Sequence, residues 1–339
     1  DHVAIAGGTD ELVQIGGQDS DNMTISNKLF FWPLDRPTPA HPGPPNHGYG
    51  PYALASLGFS MVGNMIAHGR ARMPNITGGA TAGGGGTRVR GDLEFRNNVT
   101  YNCGRECYQA FNKFTENWTN LAGNVSVFGA DTQATNPVSQ TALYPIECYD
   151  YTNVTSADCQ QPNPQNFCVQ DNSAVNTVHG SWPSDRLYDY INPQDASMVK
   201  STDCVNNPVV DPLYNRGLTG PVISDPATAE AAIVVAAGPR FLNRDSLSQA
   251  ALDSLVNRTG TIIDNLSEVG GVPSFAQNPG PADTDADGIP DVTETACGWN
   301  PNVFDSDQDL DSNTWTNFQQ YSFHVARDTG YVSSACPPN

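Results

Sequence analysis

FSMVGNMIAHG (residues 59–69) and RGDLEFRNNVTYN (residues 90–102) decide how this chain folds. Each is a short run of alternating apolar and polar residues flanked by Asn or Gly, the pattern of brief strands between tight turns. DNMTISNKLFF (21–31) and NVSVFGA (124–130) repeat it. Asn27, Asn64 and Asn97 serve as landmarks, separated by 37 and 33 residues. Recurrence at that spacing reads as successive coils of a solenoid, each stacked only on its neighbours. Asn suits the corners because it tolerates a left-handed backbone and its amide can bond to the Asn of the next coil. An antiparallel sandwich would bring its strands back about every 8 to 12 residues instead.

Composition agrees with short strands and many turns. The 339 residues include 31 Gly and 26 Pro, which favour turns over long amphipathic helices. The longest apolar runs, such as residues 231–238, fall well short of the roughly 20 residues that cross a bilayer. No signal-peptide pattern precedes Asp1, so the sequence reads as mature, processed or partial. Residues 136–219 are irregular and rich in Asn, Asp and Pro. They read as a disulfide-pinned surface insertion, giving expected boundaries of 1–135 for the coils, 136–225 for the insertion, 226–275 for a strand and a helix packing back, and 276–339 for a small tail. AEAAIVVAAG (229–238) suits a strand or a short helix. RDSLSQAALDSLVNRTG (244–260) predicts a helix capped by Asp245 or Ser246. Its apolar stripe is Leu247, Ala251 and Leu255, with Leu252 and Val256 alongside, and Gly260 ends it.

Eight cysteines, Cys103, Cys107, Cys148, Cys159, Cys168, Cys204, Cys297 and Cys336, form no CxxC pair. In a turn-rich chain they read as up to four disulfides made in an oxidising, extracellular compartment. Eight N-glycosylation sequons agree, at Asn22, Asn75, Asn98, Asn117, Asn124, Asn153, Asn257 and Asn265. The formal net charge of −20 argues against nucleic acid, whose phosphates need a basic face. The six histidines read as scattered surface or turn residues. One stretch runs against the overall charge: between Met61 and Arg105, Arg70, Arg72, Arg88, Arg90, Arg96 and Arg105 face only Asp92 and Glu94. It is either a solvated surface or a groove for an acidic polymer.

DTDADGIPDVTE (283–294) places Asp283, Asp285, Asp287, Gly288, Asp291 and Glu294 in a calcium-loop spacing. A hard cation takes six to eight oxygens, here carboxylates at alternate positions, the Ile289 carbonyl, and a closing bidentate Glu. A second acidic run, Asp305, Asp307, Asp309, Asp311 and Asn313, has Thr314 at the Gly position and Gln320 at the closing one. It predicts a weaker site. Both loops read as structural staples for a tail with little apolar content.

Several segments resemble the pectate lyase family. DHVAIAGGTDELVQIGGQDSDNMTISN (1–27) looks like the family's opening coils, SMVGNMIAHGRARMPNI (60–76) like the coil that carries its R-x-P signature, and RGDLEFRNNVTYN like the next. Residues 244–274, with DTDADGIPDVTE and WTNFQQY, resemble its calcium-loop tail. The resemblance implies an all-β fold, a right-handed parallel β-helix. It also implies a calcium ion that bridges a uronate to aspartates while an Arg removes the C5 proton. Carried over by position, Arg72 becomes the base and Asp1 and Asp10 the groove ligands for calcium, with Glu11 a substitute ligand; Arg70, Arg88 and Arg90 of the basic stretch are the candidate substrate-binding residues.

Four departures separate the chain from that pattern. Gln14 stands where a further carboxylate belongs, Thr77 where a second Arg belongs, the family's substrate-holding Lys has no counterpart (Lys28 is the only Lys before Lys113), and Asn75 is a sequon beside Arg72-Met73-Pro74. A start at Asp1 would also leave an open strand edge, to be covered by a missing N-terminal fragment, a second polypeptide or a neighbouring copy in a homopolymer. The resulting expectation is a secreted, glycosylated, non-catalytic β-helix protein with a structural or polysaccharide-associated role. An active calcium-dependent uronan lyase is the alternative.

Overall fold

A computed structural model describes residues 3–16, 23–36, 47–54, 58–77, 91–104, 107–111, 117–132, 146–149, 165–175, 200–201, 221–239, 244–274, 281–328 and 336. They fall into two compact units, one of residues 1–238 and 246–272, the other of residues 239–245 and 273–339.

The first unit is built from short parallel strands. In chain order they are β1 (Ala4–Ala6), β2 (Gln14–Gly16), β3 (Met23–Ser26), β4 (Leu29–Phe31), β5 (Tyr52–Leu54), β6 (Phe59–Val62), β7 (Met65–Ala67), β8 (Asn75–Thr77) and β9 (Gly91–Arg96). Then come β10 (Val99–Tyr101), β11 (Tyr108–Phe111), β12 (Asn117–Ala122), β13 (Val125–Val127), β14 (Ile146–Tyr149), β15 (Gln165–Gln170), β16 (Ser173–Val175) and β17 (Lys200–Ser201). One sheet runs β1-β4-β7-β10-β13-β16, a second β2-β5-β8-β11-β14, and a third β3-β6-β9-β12-β15-β17. From β1 to β16 the chain therefore visits the three sheets in rotation, each strand pairing parallel with the one three before it, and β17 pairs with β15. Segment 136–219, expected to be an irregular insertion, instead contributes β14 to β17.

Side-chain alternation shows how both faces of the first sheet are used. In β4, Phe30 points into the core shared by the three sheets while Leu29 and Phe31 join an outer cluster. Ile66 against Met65 and Ala67 repeats this in β7. All three residues of each strand are buried, as expected where a sheet is covered on both faces. The outer cover is helical. α1 (Pro226–Ala236) is capped by Asp225, whose Oδ2 accepts from the Thr228 N–H at 2.8 Å, and starts with proline at its first turn. AEAAIVVAAG is thus mostly helix.

α2 (Ser246–Asn257) buries Leu247, Ala251, Leu252 and Leu255 against the same sheet, but Val256 is exposed. It stops before Gly260: Arg258 takes the left-handed turn (φ 58°), and the Thr259 N–H reaches the Ser254 carbonyl at 2.9 Å. Gly260 serves another purpose, since a Cβ there would lie 2.6 Å from the His68 ring. His68 is itself fully buried, correcting its reading as a surface or turn residue. Its Nε2 pairs with Ser254 Oγ at 2.7 Å, its Nδ1 with Asn102 Nδ2 at 3.1 Å, and its ring stacks on Trp32. Burial lowers its pKa to about 3 and keeps the imidazole neutral. It pins α2 to the sheet.

The corners between the third and first sheets contain two distinct positions. The first is left-handed: Asn27, Gly63, Asn97, Gly123 and Asp171 all have φ between 50° and 64°. The next residue carries a ladder of buried amides, Asn64, Asn98, Asn124 and Asn172. Asn64 donates from N and Nδ2 to Asn98 Oδ1 at 3.0 and 2.9 Å, Asn98 likewise to Asn124 at 3.0 Å, and Asn124 to Asn172 at 2.9 and 2.8 Å. Each Nδ2 spends its second proton on a carbonyl of the preceding circuit: Ile25, Met61, Phe95 and Leu121. The expected Asn series of 27, 64 and 97 mixed the two positions. The ladder also removes two sequons. A glycan on Asn98 or Asn124 would replace an Nδ2 proton already used in the core, and both residues are 1% exposed. Asn75 is buried as well, at 0%, so the glycan expected beside Arg72 has no outlet there.

In the second unit, α3 (Asp291–Cys297) and α4 (Asn317–Asp328) follow the two acidic loops. Its apolar core is small, Ile289, Trp299 and Tyr321 with Cys297, and a Cys297–Cys336 disulfide closes it. In the first unit Cys103 pairs with Cys107, and Cys168 is disulfide-bonded. Cys159 and Cys204, like sequons Asn22 and Asn153, lie outside the described residues, as do the side chains of Cys148 and Asn117. Among the described residues no helix is long and apolar enough to cross a membrane.

Candidate functional site

Three successive circuits meet where Glu11 bridges Tyr49 and Tyr49 bridges Ala71. The backbones close tightly: Leu12 N–H donates to the Tyr49 carbonyl at 3.1 Å and Gly50 N–H to the Ala71 carbonyl at 3.2 Å. Gly50 is required there, because a Cβ would sit 2.5 Å from the Arg72 carbonyl oxygen. This stacking sets Asp10 and Glu11 beside His47 and Tyr49, and those beside Arg70 and Arg72.

Arg72 occupies a left-handed backbone position, φ 57°. Its Nη1 donates to Glu11 Oε1 at 2.9 Å, and its guanidinium lies 4.0 Å above the centre of the Tyr49 ring. The proposed base and a proposed calcium ligand are therefore partners in one ion pair. Burial, then the charge of Asp10, raises the Glu11 pKa above the usual carboxylate value against the pull of Arg72. His47 Nε2 is 3.8 Å from Asp10 Oδ1. Arg70 reaches the buried Asp35 at 3.4 Å.

The Arg-rich stretch is thus not a free basic patch among the described residues. Arg96, also part of it, is buried against Glu94 at 3.2 Å, and Glu94 accepts from Ser60 Oγ at 2.9 Å. Asp1, Arg88, Arg90 and Arg105 lie outside the described residues. Gln14 and Thr77 fall in β2 and β8, the strands on either side of β5. The convergence of Glu11 with Arg72 was not legible in advance, because 61 residues separate them and their register depends on the length of each circuit.

The second constellation lies in the C-terminal unit. Asp283 Oδ1 and Oδ2 accept the N–H groups of Asp287 and Gly288 at 3.2 and 3.0 Å, and Asp287 Oδ1 accepts that of Ile289 at 2.9 Å. Gly288 has φ 93°, a left-handed conformation that favours glycine. Oxygens of Asp283, Asp285 and Asp287 lie within 4.8 Å of one another, and so do those of Asp287, Glu294 and Asp305. These groups could hold a metal ion, and carboxylate oxygens are the donors a hard cation takes. Burial and the surrounding aspartates, Asp285 first, raise the Glu294 pKa to about 7.

Two expected ligands change places. Asp291 turns away from the cluster: Oδ1 accepts the Thr284 N–H and Oδ2 its hydroxyl, both at 2.7 Å. Asp305, assigned to the second run, belongs with the first loop instead. Its N–H donates to Asp287 Oδ2 at 3.3 Å, while Asn317 Nδ2 donates to its own Oδ1 at 2.8 Å. Asp307, Asp309 and Asp311 are exposed.

No family model matches the chain. Curated fungal proteins do. A probable pectate lyase C of Aspergillus flavus is 27% identical over 319 residues, covering 93% of this chain and 62% of that protein. The probable pectate lyase C of Aspergillus terreus is 25% identical over 325 residues, with 95% and 64% covered. The one of Emericella nidulans is 24% identical over 337 residues, with 98% and 65% covered. The chain thus spans less than two thirds of the length of these relatives, and nearly all of its own length takes part in the match. With three parallel sheets in its first unit and likenesses that cover 93% to 98% of its length, the chain is a relative of the pectate lyase family.

Proposed function

We propose that this chain is an extracellular pectate-lyase-like protein on a right-handed parallel β-helix, and that it binds an acidic polysaccharide without cleaving it. The rotation of β1 to β16 through three parallel sheets supports the scaffold. The Arg72–Glu11 pair supports the rest. A proton acceptor must offer a lone pair to the carbon acid, whereas the Arg72 guanidinium donates to Glu11. Gln14 and Thr77 leave that pair without the extra carboxylate and the second Arg that the family resemblance implies.

What the row offers instead is recognition. Arg72 presents donors of fixed geometry suited to a uronate carboxylate, and the ring of Tyr49 beneath it adds an apolar platform. Asp10 and Glu11 supply carboxylates to which calcium would join an anionic sugar, neutralising both. In the C-terminal unit, calcium at Asp283, Asp285, Asp287 and Glu294 is read as a structural ion. Among the described residues, exposed Asn257 and Asn265 are the sequons open to a glycan.

Removing the guanidinium tests the binding reading. Arg72→Ala is expected to weaken binding to polygalacturonate by about tenfold, the worth of one charge-assisted contact, with no effect on retention by an uncharged glucan. Affinity electrophoresis in gels containing each polymer reads both. Equal retardation of the two proteins by polygalacturonate would remove Arg72 from the binding face. A second reading, an active lyase, draws on the meeting of Asp10, Glu11 and Arg72 from adjacent circuits. It requires Glu11 to leave Arg72 when substrate arrives.

A further inference from the structure

The two acidic loops superimpose at an offset of 26 residues, Asp283, Asp285, Asp287, Gly288 and Glu294 matching Asp309, Asp311, Asn313, Thr314 and Gln320. Their backbones follow one path. Ala286 and Ser312 have φ 61° and 59°, and Gly288 and Thr314 have φ 93° and 79°. In the second loop Asp309 accepts the N–H groups of Asn313 and Thr314 at 3.0 and 2.9 Å, as Asp283 does those of Asp287 and Gly288. The two loops differ at their centres.

In the first loop the closing side chain has no hydrogen-bond partner among the described residues. Glu294 is 0% exposed, and neither carboxylate oxygen has a hydrogen bond, although each is a strong acceptor whose burial alone is costly. One of its oxygens lies within 4.8 Å of oxygens of Asp287 and Asp305. In the second loop the closing side chain is satisfied. Asn313 Nδ2 donates to Gln320 Oε1 at 3.2 Å and to Asp311 Oδ2 at 3.0 Å. That amide joins the third, fifth and twelfth positions, the task of a cation in such a loop.

We propose that the C-terminal unit binds a single calcium-type cation, caged by Asp283, Asp285, Asp287, Glu294 and, from outside the loop, Asp305, and that the second loop is closed by the Asn313 amide and binds none. This rests on reading the first loop as a cation site and specifies its ligands and its count. Asp305 is 3% exposed and held in place by Asn317, at the ninth position of the second loop. The ion therefore ties the two loops together through a carboxylate that neither loop motif contains.

Calorimetric titration of the full chain, stripped by chelator and titrated with calcium, gives the count. One ion per chain is expected. Asp305→Asn should weaken binding at least about tenfold, the scale of losing one supporting ligand, while Asp309→Asn leaves the affinity unchanged. The double variant Asn313→Asp, Gln320→Glu should gain a second ion, which decides the matter even if Asp305→Asn fails to fold. A second ion in the wild type that Asp309→Asn removes, an unaffected Asp305→Asn, or no added ion in the double variant would each overturn the proposal. No binding at all would overturn the first loop as a cation site.

Discussion

Asn98→Ala is expected to lower the unfolding free energy by about 4 kcal/mol, among the largest effects of any single substitution. Its side chain accepts from both N and Nδ2 of Asn64 and donates to Asn124 Oδ1 and the Met61 carbonyl. Alanine would strand two buried donors of Asn64, a residue 0% exposed. In a stack whose stability comes from contacts between neighbouring circuits, damage at the centre disconnects both sides. Urea denaturation of wild type and variant measures the difference. Asn265→Ala, which removes the exposed cap of the turn Leu266–Val269 and the sequon there, is the control and should cost at most about 1 kcal/mol. A loss below that for Asn98→Ala would mean that the ladder follows the fold without supporting it.

Calcium removal should have the second large effect, confined to the C-terminal unit. Ile289, Trp299 and Tyr321 make too small a core to hold residues 281–328 together, and the cluster of carboxylates repels itself at neutral pH. An ion at a hundred times its dissociation constant stabilises the folded form by about 2.7 kcal/mol. Chelation is therefore expected to open amide exchange across α3 and both loops while the strands of the first unit keep their protection. Hydrogen exchange with and without chelator tests this. Unchanged protection of α3 would mean that the Cys297–Cys336 bond and the small core suffice.

Strands that share a segment with an Asn corner were legible in sequence, because alternation and corner fall within a dozen residues. β14 to β17 were missed although QNFCVQDNSAV (165–175) carries the signal. Its Asp171-Asn172 pair repeats Gly63-Asn64, Asn97-Asn98 and Gly123-Asn124, a residue tolerant of positive φ followed by a ladder Asn. Reading the pair instead of single Asn residues finds the coil and marks Asn98 and Asn124 as core amides instead of glycan acceptors. The strands of the second sheet leave a weaker trace. Most are three or four residues long, too short for a period to show. Glu11 and Arg72 were each identifiable as candidates, but their pairing depends on how long each intervening circuit is. Asp305 was misassigned for a related reason, since an alternating Asp run from 305 to 311 offers no local clue to where one loop's ligands stop.

Binding without cleavage is tested most directly by ultraviolet absorbance of unsaturated uronide ends in polygalacturonate solution with calcium, comparing wild type with Arg72→Ala. No calcium-dependent rise above buffer is predicted for either protein. A rise with the wild type that is lost in Arg72→Ala would contradict it and make Arg72 the base of a working lyase.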